Sequence, residues 1–340
     1  MGKNRLMTQK KKYGFYFLLA LTSWACTQTD PWQKVDLPKQ LSPVKIERLD
    51  TAVFFKEPLA EKNKRLQEKF GAVYENYFVY MMGISCQDEY AEKALEYLTE
   101  DNLQVEIYQE TQKVFPNLDV LAKNLSAAFF YLKYYFPNDT LPAVYVVHDG
   151  MKYNPLVDAK NIYISLGFYL GKDNELVQKL AYPDYFKVRM EKDYLLSDAL
   201  LLYLTAKYYP DNEDKDMNFL QTVVNAGKTL YLLDLLLPYT ADYLKIKYTQ
   251  SQYQWAKAHE KDTWQYILQN GILYSNETWR INQWVVTAPF TAEYSNESPD
   301  RLGEYLGWQM VRHFVRQNHA ISPQEVLQTD AIQILKYYKN

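Results

Sequence analysis

The chain has 340 residues, with 38 lysines and arginines against 41 aspartates and glutamates, and only two cysteines. That length buries a core without cross-links, and two cysteines exclude a disulfide-stapled scaffold. Residues 1–25 hold five basic and no acidic side chains, so the remainder carries 33 basic against 41 acidic, a net charge of −8, which argues against nucleic acid as a partner.

The chain opens on a basic stretch, with Arg5, Lys10, Lys11 and Lys12, followed by the uncharged run Tyr13–Cys26. Those 14 residues reach about 21 Å as a helix, short of the roughly 30 Å hydrocarbon core of a bilayer. The pattern is that of a secretory leader: charged n-region, apolar h-region from Phe15 to Leu21, and small Ala25 before the cut. Cys26 comes next, which turns the leader into a lipoprotein signal over residues 1–25. The Cys26 thiol is expected to carry the lipid, with two or three acyl chains (palmitate-like) holding the protein to a membrane. Ser23 and Trp24 depart from the usual residues before such a cysteine. With Cys26 acylated, Cys86 is left alone and no intramolecular disulfide forms.

Residues 26–43 read as the lipidated cysteine and a flexible tether, "TQTDPWQKVDLPKQLSP", with three prolines and little periodicity. No acidic run follows Cys26, where Asp30 stands alone. This favours the periplasmic side of an outer membrane over the cell surface.

Residues 44–340 are expected to fold as a single α+β domain, mostly helical with a small sheet. "VKIERLDTAVF" alternates apolar and polar residues as a first strand. A long helix is predicted over about 57–82, with shorter ones near 89–98 and 105–115. "NLDVLAKNLSAAFFYLKYYFP" places Leu118, Leu121, Leu125, Ala128, Phe129, Leu132, Tyr135 and Phe136 on one apolar stripe, which Pro137 ends. "LPAVYVVHDG" and "NIYISLGFYLG" are predicted strands. Two helices follow over 194–209 and 219–237, and the remainder is mainly helical. Near the end, Ser322 reads as an N-cap, with Pro323 at the first helical position and Glu325 closing a capping box.

Two strands followed by two long helices is also how thermolysin-like zinc peptidases are arranged. Those carry H-E-x-x-H on the first helix, because histidines at i and i+4 share a face. Here "DYLLSDALLLYLTAKYYP" contains no histidine, and "TVVNAGKTLYLLDLLLP" has Asn225 where a ligand glutamate is required. His259-Glu260 is followed by Thr263 at the fourth position. His148, His259, His313 and His319 are scattered, and there is no G-x-S-x-G elbow or P-loop. No metal or other cofactor is therefore expected.

Asp198 lies among leucines in "LLSDALLLYL", so it must be paired, with Lys228, Arg189 and Arg312 as candidate partners. Gly303 and Gly307 in "GEYLGWQMVRHF" share a helix face that suits close packing. The 32 tyrosines include adjacent pairs at 134–135, 208–209 and 337–338. They fit boundary packing, and would serve a glycan-binding surface only as a row of exposed rings. A hydrolase built on a carboxylate pair or on distant histidines stays open as the enzymatic alternative.

Segments in the order "VKIERLDTAVF", "FFYLKYYFPNDTLPAVYVV", "NIYISLGFYLGKDNEL", "AGKTLYLLDLLLP" and "SPDRLGEYLGWQMVRHFVRQN" resemble the gliding motility lipoprotein GldB family of Bacteroidetes. That resemblance implies a non-catalytic envelope lipoprotein, related to zinc peptidases but without the metal ligands. It would act in gliding motility and type IX secretion, with other envelope proteins as partners. No catalytic residue carries over. Asp198, Gly227, Lys228, Gly307, Trp308 and Arg312 would line or support the remnant of a cleft.

Overall fold

The computed structural model of the protein describes residues 35–84, 88–152, 155–158, 160–209 and 217–338. The predicted leader, Cys26, residues 27–34 of the tether, and Cys86 lie outside these residues.

Its centre is one four-stranded sheet in the order β1-β2-β4-β3. Strands β1 (Ile46–Arg48), β2 (Ala143–Val147) and β4 (Asn161–Ser165) run parallel, and β3 (Leu156–Val157) pairs antiparallel to β4. The parallel register sets Val144 beside Ile162 and Val146 beside Ile164. Alternate residues of a strand face opposite sides. Accordingly Val144, Val146, Ile162 and Ile164 enter one apolar cluster, while Val147 and Tyr163 enter another.

The second cluster is roofed by the N-terminal helices. These are α1 (Leu49–Val53), α2 (Leu59–Phe70), α3 (Ala72–Asn76), a π-helical turn over Tyr77–Met82, and α4 (Asp88–Glu100). The sequence predicts one helix across most of this stretch, but Gly71 adopts φ +50° and divides it. The predicted first strand is also shorter, because Arg48 folds its guanidinium onto Asp50 in the first turn of α1 at 2.7 and 2.8 Å.

On the other face lie α5 (Asn102–Val114) and α6 (Asp119–Tyr135). Leu125, Ala128, Phe129 and Leu132 of the predicted α6 stripe are buried. Each large apolar side chain among them contributes on the order of 2 kcal/mol. After β4 the chain makes a 3-10 turn at Leu166–Tyr169, the short helices α7 (Glu175–Lys179) and α8 (Asp184–Lys187), and then α9 (Leu195–Tyr208) and α10 (Phe219–Leu236).

Helix α10 is buried nearly all round, as a central helix must be. The remaining elements are α11 (Asp242–Lys245), α12 (Gln250–Ala258), α13 (Glu260–Gln269), α14 (Thr278–Val285), α15 (Leu302–Gln317), α16 (Pro323–Gln328) and α17 (Ala331–Leu335), of which α11, α14, α15, α16 and α17 pack on α10. The Ser322 capping box forms as the sequence predicts, with Pro323 at the helix start. The architecture is mostly helical α+β. Among the described residues, no helix is long and apolar enough to cross a membrane.

Candidate functional site

The tightest contact in the molecule is the crossing of α10 and α15. A methyl group on Gly227 would lie 2.2 Å from the Gly307 carbonyl carbon, and one on Gly307 would lie 1.7 Å from the Val223 carbonyl oxygen. Gly303 faces Val223 and Trp284 on the same side of α15. The glycine spacing in the sequence therefore marks a real helix contact, and Gly227 is its counterpart on α10.

Beyond this crossing, α10 presents Asp234 and α15 presents Trp308 and Arg312. Both Asp234 oxygens are saturated. Oδ1 accepts from Lys245 Nζ (2.9 Å) and Arg312 Nη2 (2.6 Å), and Oδ2 accepts from Arg312 Nε (2.8 Å) and Trp308 Nε1 (2.9 Å). Arg312 also reaches both oxygens of Asp242 at 2.8 and 2.9 Å, and its guanidinium stands 3.7 Å from the Trp308 ring centroid. Tyr253 donates to Asp242 at 2.9 Å. Burial opposes ionisation of Asp242, but Arg312, Lys245 and Tyr253 together hold its carboxyl down at about 2. Burial likewise disfavours the Arg312 cation, and the two carboxylates more than restore it. A recess of about 190 Å³ opens beside this network, lined by Tyr131, Tyr135, Pro238 and Arg316.

Asp198 belongs to a different cluster. Tyr169 donates to its Oδ2 at 2.8 Å, and Lys247 Nζ pairs with Oδ1 at 3.3 Å. None of the partners expected from sequence reaches it. Arg189 instead grips Asp300 at 2.6 and 2.8 Å, Arg312 serves Asp234, and Lys228 donates to the carbonyls of Leu327 (3.0 Å) and Thr329 (2.7 Å). Arg301 bridges the cluster, donating to Glu304 and to the Ile246 and Lys247 carbonyls while pairing with Asp300. Lys247 and Arg301 both have positive φ, +58° and +51°. Such backbone strain in non-glycine residues persists only where the surroundings overdetermine it. Burial raises the Glu304 carboxyl, against the pull of Arg301 and Lys247. Burial also lowers Lys228 to about 8, against the nearby charge of Asp330.

The proposed cleft residues are thus split four ways. Trp308 and Arg312 meet around Asp234, Gly227 forms the helix crossing, Lys228 caps the end of α16, and Asp198 sits with Lys247. Sequence reading missed Asp234, although "YLLDLLLP" carries the same signal as Asp198, an acid among leucines. Asp242, Lys245, Asp300 and Arg301 lie in or beside loops and gave no such signal. Chemically, both clusters pair carboxylates with cations in equal number, three with three around Asp300 and two with two around Asp234. A general base needs a carboxylate within hydrogen-bond reach of a substrate proton, and the oxygens of Asp234 face protein donors only.

The histidines stand apart from both clusters. His148 is buried against Gln104 at 2.9 Å, where burial pushes it down to about 4. His259 stacks on Trp255. Among the described residues, no three His, Cys, Asp or Glu side chains group so as to hold a metal ion. Among the tyrosines, Tyr74, Tyr77, Tyr131, Tyr169, Tyr231, Tyr248 and Tyr305 are all but inaccessible, whereas Tyr90, Tyr97, Tyr134, Tyr239 and Tyr274 are exposed.

Both charge clusters and the helix crossing fall inside a segment, residues 31–340, that matches the family model of gliding motility protein GldB. The chain belongs to the GldB family. Neither a curated protein nor a solved structure matches it. The family is one of gliding motility lipoproteins, so membership places the protein in the cell envelope, held by lipid. Cys26 precedes the matched segment.

Proposed function

We propose that this GldB-family chain is a non-catalytic lipoprotein, acylated at Cys26 and facing the periplasm from the outer membrane. It supports gliding motility and type IX secretion through contacts with other envelope proteins. The observation that carries this reading is the state of the two long helices that would bear metal ligands in a zinc peptidase. Their acids, Asp198 on α9 and Asp234 on α10, are held by Lys247 and by Lys245 with Arg312. These pairs tie helices to one another and to the loop after α11, and leave the clusters neutral, which suits a scaffold.

The test has three arms. Mass spectrometry of the mature protein should find an acylated amino-terminal cysteine, absent in Cys26→Ala. Deleting the gene should impair spreading and secretion, restored by the wild-type gene and not by Cys26→Ala. Purified mature protein should not hydrolyse a peptide library, and turnover that vanishes in Asp198→Asn would overturn the non-catalytic reading.

A further inference from the structure

Three recesses adjoin along one face of the molecule. The recess beside Arg312 shares Tyr131 and Pro238 with a second, of about 270 Å³. The second shares Asn124, Leu196 and Thr240 with a third, of about 440 Å³, between the start of α6 and the first turn of α9. The third is largely apolar, walled by Phe115, Leu118, Leu121, Leu196 and Leu244. Val120 stands beside it and Tyr239 beside the second recess. At 72 % and 69 % exposure, these are the two most exposed large apolar side chains among the described residues. Exposed apolar groups that flank an apolar furrow mark a contact surface.

The other end of the face is cationic. Asp234 and Asp242 are balanced there by Lys245 and Arg312, so Arg316 is a surplus charge. It is exposed, and among the described residues it makes no hydrogen bond or ion pair. The chain enters the fold between the two ends. Tyr131 donates to the Val35 carbonyl at 3.0 Å, Leu37 lines the middle recess, and Ser126 Oγ accepts from the Val44 amide at 2.7 Å. Cys26 precedes Val35 by nine residues, which reach at most about 30 Å. A membrane that holds an acylated Cys26 is therefore never further than that from the point where Val35 is pinned.

We propose that this face rests on the phospholipid bilayer that holds the anchor, with Val120 and Tyr239 entering the interface and Arg316 meeting lipid phosphate. Tyrosine suits that boundary, because its ring is apolar and its hydroxyl stays wet. An exposed cation is drawn to an anionic lipid surface. Three side chains are too few to bring a free protein to a membrane. The tether supplies a high local concentration, so they need only select which side of the body faces the lipid. A partner protein would have to displace a surface already held close by. The inference rests on the reading of Cys26 as acylated, and it adds the face that the anchor turns toward the bilayer.

The test places the photoreactive residue benzoylphenylalanine at one position at a time in the mature acylated protein. The protein is reconstituted into vesicles of phosphatidylcholine and phosphatidylglycerol. Flotation reports the anchor, and phospholipid adducts report the face. The positions of Val120 and Tyr239 should form adducts. Those of Phe55, just after α1, and Tyr90, on α4, lie across the sheet and should not, although they are 61 % and 53 % exposed. Arg316→Gln should lower the yield from position 120 about fivefold, and Val120→Asp the yield from position 239 about tenfold. Both changes are at exposed positions, so the melting temperature should hold. Protein that floats but forms no more adduct at 120 and 239 than at 55 overturns the proposal and leaves the anchor standing; protein that does not float overturns both. Adducts only with the chain's own acyl groups, or with another protein when the label is activated in cells, also overturn it.

Discussion

Gly307 packs its backbone directly on Val223: an added Cβ would sit 1.7 Å from the Val223 carbonyl oxygen, with no flexible side chain to give way. Gly307→Ala must therefore push α15 off α10, at an expected cost of about 3 kcal/mol or more. Gly271, at φ +63° with open space around it, should lose only about 1 kcal/mol on the same change, through backbone strain. Urea unfolding of both variants checks the contrast, and equal losses would contradict a closed helix contact.

Arg312 is the joint between α15, Asp234 on α10 and Asp242 on α11. Arg312→Met leaves two buried or half-buried carboxylates with Lys245 as their remaining cation. The expected loss is about 3–5 kcal/mol, as for other broken buried pairs. Arg312→Lys keeps the charge but not the fork geometry or the flat stacking on Trp308, so it should fall in between. Denaturant titration orders the three proteins.

Lys228 ends a helix that is not its own, holding the Leu327 and Thr329 carbonyls. Lys228→Met should loosen α16 locally. Amide exchange over residues 325–329 should quicken about tenfold, a conservative figure for losing two charge-assisted bonds, while α10 itself stays protected.

His148 makes stability depend on acid. Its folded pKa lies at about 4, below the ordinary value near 6.5. Above pH 6.5 neither state binds the proton and His148 has no effect. As pH falls from about 6.5 to 4, only the unfolded chain takes it up, so stability declines by on the order of 3 kcal/mol. Melting curves across that range should show the decline in the wild type and a shallower one in His148→Gln.

Features set by near neighbours were legible in the sequence. The Ser322 cap, the α6 stripe and the ends of α6 and α10 before Pro137 and Pro238 each depend on residues within a turn or two. The sequence also showed that Asp198 needs a cation and that Gly303 and Gly307 line a contact face. It did not show the partners. Lys247 meets Asp198 from a loop residue at positive φ, and Arg301 crosses from the start of α15 to the carbonyls of Ile246 and Lys247. Such pairings are fixed by how α9, α11 and α15 converge, which no local pattern encodes. The long helix expected over 57–82 failed for a related reason, since an apolar periodicity runs straight through Gly71 while its backbone turns.

The clasp of Tyr131 on Val35 settles where mechanical load enters the body. Among the described residues, a pull on the chain from its amino-terminal side meets that hydroxyl bond first and the Val44–Ser126 bond next, and both lie on α6. Because α6 packs on α10, traction passes into the helical core before it reaches the edge strand β1. A protein dragged by its amino-terminal end would thus hang from helix α6, with the sheet kept out of the line of force.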